Sequence, residues 1–253
     1  KLADSLGLHL FSSPFDASAV DFLEKMGVPA YKVASFENGD IPLLRRIAAT
    51  RKPVIVSTGM ATLETVEEAL STLRGAGSGP VALLKCTSAY PAPPEEMNLR
   101  AIPGLASRFG VPVGLSDHTL GATAAVAARA LGACIFEKHL ILSRKAGGPD
   151  SAFSMEPSEF ADMVRAIRDA EKNLGDGVFG PTEREKPSLA FRRSIFVVKD
   201  LKAGEAFSAG NLRCIRPGNG LHPRHFDELL GRRASRDLSR GTPMSWDLIE
   251  GGE

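Results

Sequence analysis

The feature that most restricts the fold is an alternation that runs from the start of the chain to about residue 175. Short apolar runs at 8–11, 30–34, 54–56, 81–84, 113–115 and 134–136 each end in polar residues. Amphipathic helical stretches at 18–25, 42–49, 63–74, 98–109, 121–131 and 157–173 follow them. Strands alternating with helices of this length predict a parallel sheet. The runs are apolar at successive positions, as expected where both faces of a sheet are covered. Six β–α units are countable, whereas a closed barrel of this kind takes eight. An open doubly wound sheet and an incomplete barrel both fit that count. No G-x-G-x-x-G follows any of the runs, so the dinucleotide-binding form of the open sheet has no support.

The alternation stops at Gly175-Asp-Gly-Val-Phe-Gly-Pro-Thr-Glu-Arg-Glu-Lys-Pro187, a Gly-, Pro- and charge-rich stretch that reads as a linker. Beyond it, turn signals at Lys202-Ala-Gly204, Arg216-Pro-Gly-Asn-Gly220 and Gly241-Thr-Pro243 predict a small domain of short strands and turns. The expected division is 1–179 for the first domain, 180–193 for the linker and 194–253 for the small domain.

The formal net charge is +1, which argues against a broad nucleic-acid or anionic-membrane surface. No apolar run approaches the roughly 20 residues of a membrane helix. Cys86, Cys134 and Cys214 are odd in number and widely spaced, which predicts a reduced, cytoplasmic protein without a disulfide framework.

In parallel α/β folds ligands bind at the carboxyl ends of the strands. The residues there are Ser12 and Ser13, Lys32 with Ser35, Ser57-Thr58-Gly59, Lys85 through Ser88, Ser116-Asp117-His118 and Glu137-Lys138-His139. Strand ends commonly turn polar where they meet water. Six successive ends rich in hydroxyls and ammoniums would also line a site for a phosphate and a carboxylate, since both anions take several donors. His118 and His139 end adjacent runs, and neighbouring strands lie about 4.8 Å apart. Two neutral imidazoles at that spacing reach a shared ion and leave coordination positions open, as a catalytic metal requires. Spacing alone leaves open the plainer role of two hydrogen-bonded loop histidines. Lys32 and Lys138 similarly admit either a Schiff-base role or simple pairing with an anion.

The motifs Phe11-Ser-Ser-Pro-Phe-Asp16, Tyr31-Lys-Val-Ala-Ser35, Pro53-Val-Ile-Val-Ser-Thr-Gly-Met60, Gly114-Leu-Ser-Asp-His-Thr119, Phe136-Glu-Lys-His139 and Gly148-Pro-Asp150 resemble, in order and spacing, the sialic acid synthase family. The tail from Ser194 resembles that family's antifreeze-protein-like (SAF) domain. Leu84-Lys-Cys-Thr-Ser-Ala-Tyr-Pro91, Gly148-Pro-Asp-Ser-Ala-Phe-Ser154 and Ile215-Arg-Pro-Gly-Asn-Gly-Leu-His-Pro223 are similar to its pseudaminic acid synthase branch. Other branches, acting on N-acetylmannosamine or a legionaminic precursor, usually carry histidine where Ser151 stands.

The resemblance implies an α/β fold: a TIM (β/α)8-type barrel lacking its first two β–α units in this sequence, plus the small SAF domain. It implies a transferase that condenses phosphoenolpyruvate with an open-chain 2,4-diacetamido-2,4,6-trideoxyhexose, adds water and releases phosphate. It implies a divalent metal on His118 and His139, Mn2+ first, with Mg2+ or Co2+ as alternatives. His118, His139, Lys32 and Glu137 match catalytic positions. Ser13, Ser35 and Ser57 match positions that, with Lys32, hold phosphoenolpyruvate, and Ser88 and Ser116 match positions near the phosphate. Tyr90, Glu137 and Asp150 match positions facing the sugar. Arg216 matches an arginine delivered into a partner subunit's site, which implies a domain-swapped homodimer. A Schiff-base aldolase and a non-catalytic carbohydrate-binding protein are the competing classes.

Overall fold

The computed structural model describes residues 1–251, and these fall into two compact units that divide between Gly177 and Val178. The first unit opens with a short helix α1 (Leu2–Ser5) and α2 (Ala17–Met26), followed by β1 (Tyr31–Val33). Strands and helices then alternate: α3 (Ile41–Ala48), β2 (Val54–Ser57), α4 (Leu63–Gly75), β3 (Val81–Cys86), α5 (Ala101–Phe109), β4 (Val113–Asp117), α6 (Thr123–Ala130), β5 (Phe136–Lys138) and α7 (Pro157–Leu174).

All five strands are parallel and lie in the order β1-β2-β3-β4-β5. A doubly wound sheet reverses its strand order at a switch point. This sheet does not reverse, so each crossover carries the chain the same way around, as in a barrel.

Local chemistry sets the element boundaries. Asp16 caps α2 by accepting from the Ala19 N–H at 2.8 Å, and Gly27 ends that helix in the left-handed region at φ 72°. Asp40 and Thr62 cap α3 and α4, accepting from Leu43 and Thr65. Glu156 and Glu159 form a reciprocal capping box at the start of α7, with Pro157 in its first turn.

The core lies between sheet and helices. Val33, Val56, Leu83 and Leu115 from the strands pack with Leu44, Ile47, Leu70, Leu73 and Ile102 from the helices. Gly114 is required by close approach: a Cβ there would stand 2.2 Å from the Ile135 carbonyl oxygen.

One expected strand does not form. Residues 8–11 have no ladder partner, and pairing begins only at the isolated bridge between Ser12 and Tyr31. Leu8 and Leu10 are each 60% exposed. The apolar run is present, but a strand needs hydrogen-bonding backbone along its length, and β1 offers this stretch a single bridge.

The second unit pairs β6 (Ser194–Val197) antiparallel with β7 (Leu212–Ile215) and adds a one-turn helix α8 (Phe226–Leu229). Isolated bridges Leu201–Leu238, Ala206–Arg233 and Ala234–Ile249 tie its loops. Ile195, Val197, Phe207, Leu212, Leu229 and Met244 form its own small core. Before β6, an exposed segment contains a 3-10 turn at Lys186–Phe191. No helix among the described residues is long and apolar enough to cross a membrane.

Candidate active site

Side chains alternate across a strand, so residues two apart share a face. In β4 and the residues after it, Ser116 and His118 share one face and Asp117 takes the other. In β5 the register pairs Ser116 with Glu137 and Asp117 with Lys138, so Glu137 and His139 join the first face. The contacts agree. The Ser116 hydroxyl donates to Glu137 Oε1 at 2.6 Å, and the His118 and His139 rings stand 5.3 Å apart, edge to face.

The same mouth receives β1 and β2. Lys32 is 7% exposed, and its Nζ donates to Ser57 Oγ at 2.8 Å and to the Val33 carbonyl at 3.0 Å. It stands 3.6 Å from Glu137 Oε2. A chain of polar contacts therefore crosses the sheet from Ser57 through Lys32 and Glu137 to Ser116. Burial holds the Lys32 ammonium below its ordinary range, against the attraction of Glu137.

Ser35 and Ser88 close in from two loops. The Gly59 N–H donates to Ser35 Oγ at 3.1 Å. A Cβ on Gly59 would lie 2.1 Å from Ser88 Oγ and 2.6 Å from Ser35 Oγ. Two hydroxyls and a bare backbone therefore meet in one small volume, an arrangement suited to an oxyanion. Sequence patterning names Gly59 only within Ser57-Thr58-Gly59, without a role of its own in bringing the hydroxyls together. The signal was its place directly after Ser57-Thr58 at the end of β2.

The histidine pair has its own surroundings. His118 Nδ1 lies 3.0 Å from the Thr87 carbonyl, so that nitrogen donates, and in the neutral ring the Nε2 lone pair is free for a ligand. His139 Nδ1 lies 3.5 Å from Asp150 Oδ2. Tyr90 packs on His118 with ring centroids 4.3 Å apart, and Phe153 packs on His139 at 5.0 Å. Burial and the neighbouring His118 hold His139 below its usual range.

Cys86 sits between Ser88 and His118, 3.8 Å from Ser88 Oγ and 3.9 Å from His118 Nδ1. Burial raises its thiol, but hydrogen bonds with His118 and Ser35 outweigh that and bring it down to about 7. The sequence marks Cys86 within a strand end and Phe153 within a motif but gives neither a role, since their proximity to the histidines depends on loops that fold back over the strand ends.

Among the described residues no group of three or more His, Cys, Asp or Glu side chains is arranged to hold a metal. The structure offers two imidazoles and no third protein ligand of those types. The expected residues Lys32, Ser35, Ser57, Ser88, Tyr90, Ser116, His118, Glu137, His139 and Asp150 all face this mouth or its rim. Ser13 follows Ser12, whose carbonyl accepts from the Lys32 N–H at 3.2 Å, which places it beside β1. Arg216 belongs to the second unit, exposed on the loop after β7. That loop is pinned by Ser194, whose hydroxyl donates to the Pro217 carbonyl at 2.7 Å and accepts from the Gly220 N–H at 2.8 Å.

Comparison with known proteins gives a consistent pattern. The chain is 44% identical over 252 residues to the pseudaminic acid synthase of Helicobacter pylori, covering 99% of this chain and 74% of that one. It is 41% identical over 255 residues to the N,N'-diacetyllegionaminic acid synthase of Legionella pneumophila, covering 99% and 72%. The crystal structure of the spore coat polysaccharide biosynthesis protein spsE of Bacillus subtilis matches with a TM-score of 0.67 at 36% identity, covering 98% of this chain and 75% of that one. Over residues 1–179 the chain matches the NeuB family and over 192–250 the SAF domain, and it belongs to the NeuB family.

Proposed function

We propose that this protein condenses phosphoenolpyruvate with an open-chain 2,4-diacetamido-2,4,6-trideoxyhexose to give pseudaminic acid and phosphate, on a barrel of the (β/α)8 type. The observation that carries the reading is the convergence of the Ser57–Lys32–Glu137–Ser116 chain and the His118–His139 pair on one mouth. The first is an anion-binding wall and the second is an open ligand pair.

The pair fits a divalent cation of the Mn2+, Mg2+ or Co2+ type. Both rings present to one space, His118 has its Nδ1 committed to a carbonyl, and a pair of imidazoles leaves positions for substrate and water. Nitrogen ligands favour Mn2+ over Mg2+. When bound there, the ion supplies Lewis acidity toward the sugar's aldehyde oxygen.

The chain's own residues do the positioning. Lys32, Ser57 and Ser13 sit where the carboxylate of phosphoenolpyruvate would be gripped, while Ser35, Ser88, Ser116 and the Gly59 N–H suit its phosphate. Charge-assisted hydrogen bonds to both anionic ends fix the enol so that C3 faces the aldehyde carbon. As the C3–carbon bond forms, positive charge grows at C2 and the aldehyde oxygen becomes an alkoxide, to be protonated by the proton that Glu137 draws from the adding water. Water adds at C2, and Glu137 is the carboxylate placed to take its proton. The bond from C2 to the phosphate oxygen then breaks as the new C2 hydroxyl forms the carbonyl and gives its proton to the departing phosphate. Tyr90 and Asp150 rim the sugar side.

Arg216 completes the sugar site from a partner subunit in a homodimer. Its support is an exposed guanidinium on a loop that Ser194 pins with two hydrogen bonds. The test of the whole reading is phosphate release with Mn2+ and each of three sugars. The diacetamido-trideoxyhexose of the pseudaminic series should turn over at least tenfold faster than N-acetylmannosamine or the legionaminic precursor. A preference for either of those would remove the substrate assignment.

A further inference from the structure

We propose that Asp117 and Lys138 form a positioning pair that sets the separation at which His118 and His139 take a divalent cation. The inference rests on the metal reading of those histidines given above. Lys138 Nζ donates to Asp117 Oδ2 at 2.8 Å, and their side chains are 2% and 1% exposed for Asp117 and Lys138 respectively. The two are register partners across β4 and β5. Each directly precedes one histidine of the pair, on the opposite face of its strand. Neither side chain therefore faces the reacting groups, and both act through the backbone that carries the imidazoles.

The tie reaches further than one ion pair. Lys138 Nζ also donates to the Thr119 carbonyl, and Asp117 Oδ1 accepts from the Thr119 N–H at 2.8 Å. The turn that carries His118 is thus closed from the residue before it and the residue after it. Its remaining backbone is held too, since the His118 carbonyl accepts from the Ala92 N–H at 3.0 Å. On the other strand the His139 carbonyl accepts from the Met155 N–H at 2.9 Å.

A charged pair suits this task better than an apolar contact. If β5 slipped by one residue, Lys138 would lose Asp117 and both charges would be buried without partners, a strongly disfavoured state. The same slip would turn Glu137 and His139 to the wrong face. The pair therefore penalises a register slip that would take the histidines apart. It also engages Lys138 with two acceptors on the face away from the mouth, which argues against Schiff-base chemistry at that lysine.

The test uses the full chain stripped with EDTA and titrated with Mn2+. Asp117→Asn keeps the shape and the acceptor for Thr119, and Lys138→Met keeps the stem. Each should weaken Mn2+ binding by about 10- to 100-fold, as loss of supporting contacts around ligands does. Phosphoenolpyruvate binding without metal, which uses the Lys32–Ser57 wall, should change by less than about threefold. Lys138→Arg should recover most of the lost Mn2+ affinity, and it serves if Lys138→Met does not fold. A lower unfolding midpoint with unchanged Mn2+ affinity would overturn the proposal, because that is what a merely stabilising pair gives. Should His118→Ala leave Mn2+ binding of the parent unchanged, the metal reading itself has failed. The positioning claim is then decided by the crystal structure of Asp117→Asn. A changed His118–His139 ring separation supports it, and an unchanged 5.3 Å sinks it.

Discussion

Replacing Gly59 with alanine adds one methyl group where two hydroxyls converge. Gly59 is not among the positive-φ residues, so its backbone accepts alanine and the effect is steric. The new Cβ would lie 2.1 Å from Ser88 Oγ and 2.6 Å from Ser35 Oγ, well inside contact distance. Both serines can escape by rotating about χ1, which turns their hydroxyls out of the volume assigned to phosphate. A hydrogen bond to a charged group contributes about 1.5–3 kcal/mol. Loss of one therefore costs roughly 10- to 150-fold, and loss of both on the order of 100- to 10,000-fold in kcat/KM for phosphoenolpyruvate. The fold should lose less, about 1–3 kcal/mol, as extra methyl groups in packed sites do. Phosphate release measured against phosphoenolpyruvate concentration reads the first quantity, and urea unfolding reads the second. A folded Gly59→Ala protein within threefold of the parent would refute the phosphate assignment of Ser35 and Ser88.

Three further outcomes are expected. Borohydride treatment with pyruvate should leave no adduct by mass spectrometry, because Lys32 is engaged by Ser57 and Glu137 and Lys138 by Asp117; an adduct on Lys32 would favour the aldolase class. Arg216→Ala should raise KM for the sugar by about 10-fold or more while KM for phosphoenolpyruvate moves little, since a lost charged hydrogen bond is worth about 1.5–3 kcal/mol; mixing it with a His118→Ala chain should restore activity if the arginine acts on the partner. Glu24 accepts hydrogen bonds from Lys52 and Tyr31, which hold its carboxyl below the ordinary range. A lowered folded value means the contribution is present above the unfolded value and is lost as pH falls. Urea midpoints should therefore drop less between roughly pH 5 and pH 3 in Glu24→Gln than in the parent.

Most of the first unit was legible because its cues are local. The helix expected at 63–74 is Leu63–Gly75, and the one at 157–173 is Pro157–Leu174, since capping residues and apolar period coincide at both. The helix expected from residue 98 begins at Ala101 instead. Asn98 adopts φ 42° and turns the chain before the helix starts. The run at 8–11 misled because hydrophobicity marks a buried strand without saying which backbone pairs with it. The same division holds at the site. His118, His139, Lys32 and the serines are visible as chemistry at strand ends. Cys86, Gly59 and the Asp117–Lys138 tie acquire roles only through cross-strand register and loop return, which no local pattern encodes.

The central claim is that His118 and His139 hold the cation that phosphoenolpyruvate condensation requires. The direct measurement removes metal with EDTA, restores Mn2+ in steps, and follows both bound Mn2+ and phosphate release with phosphoenolpyruvate and the diacetamido sugar. The account predicts activity that falls to background on stripping and returns in proportion to Mn2+ bound, with binding and turnover both lost in His118→Ala and His139→Ala. Full turnover in the stripped protein, or parent-like Mn2+ binding in either alanine variant, would contradict it.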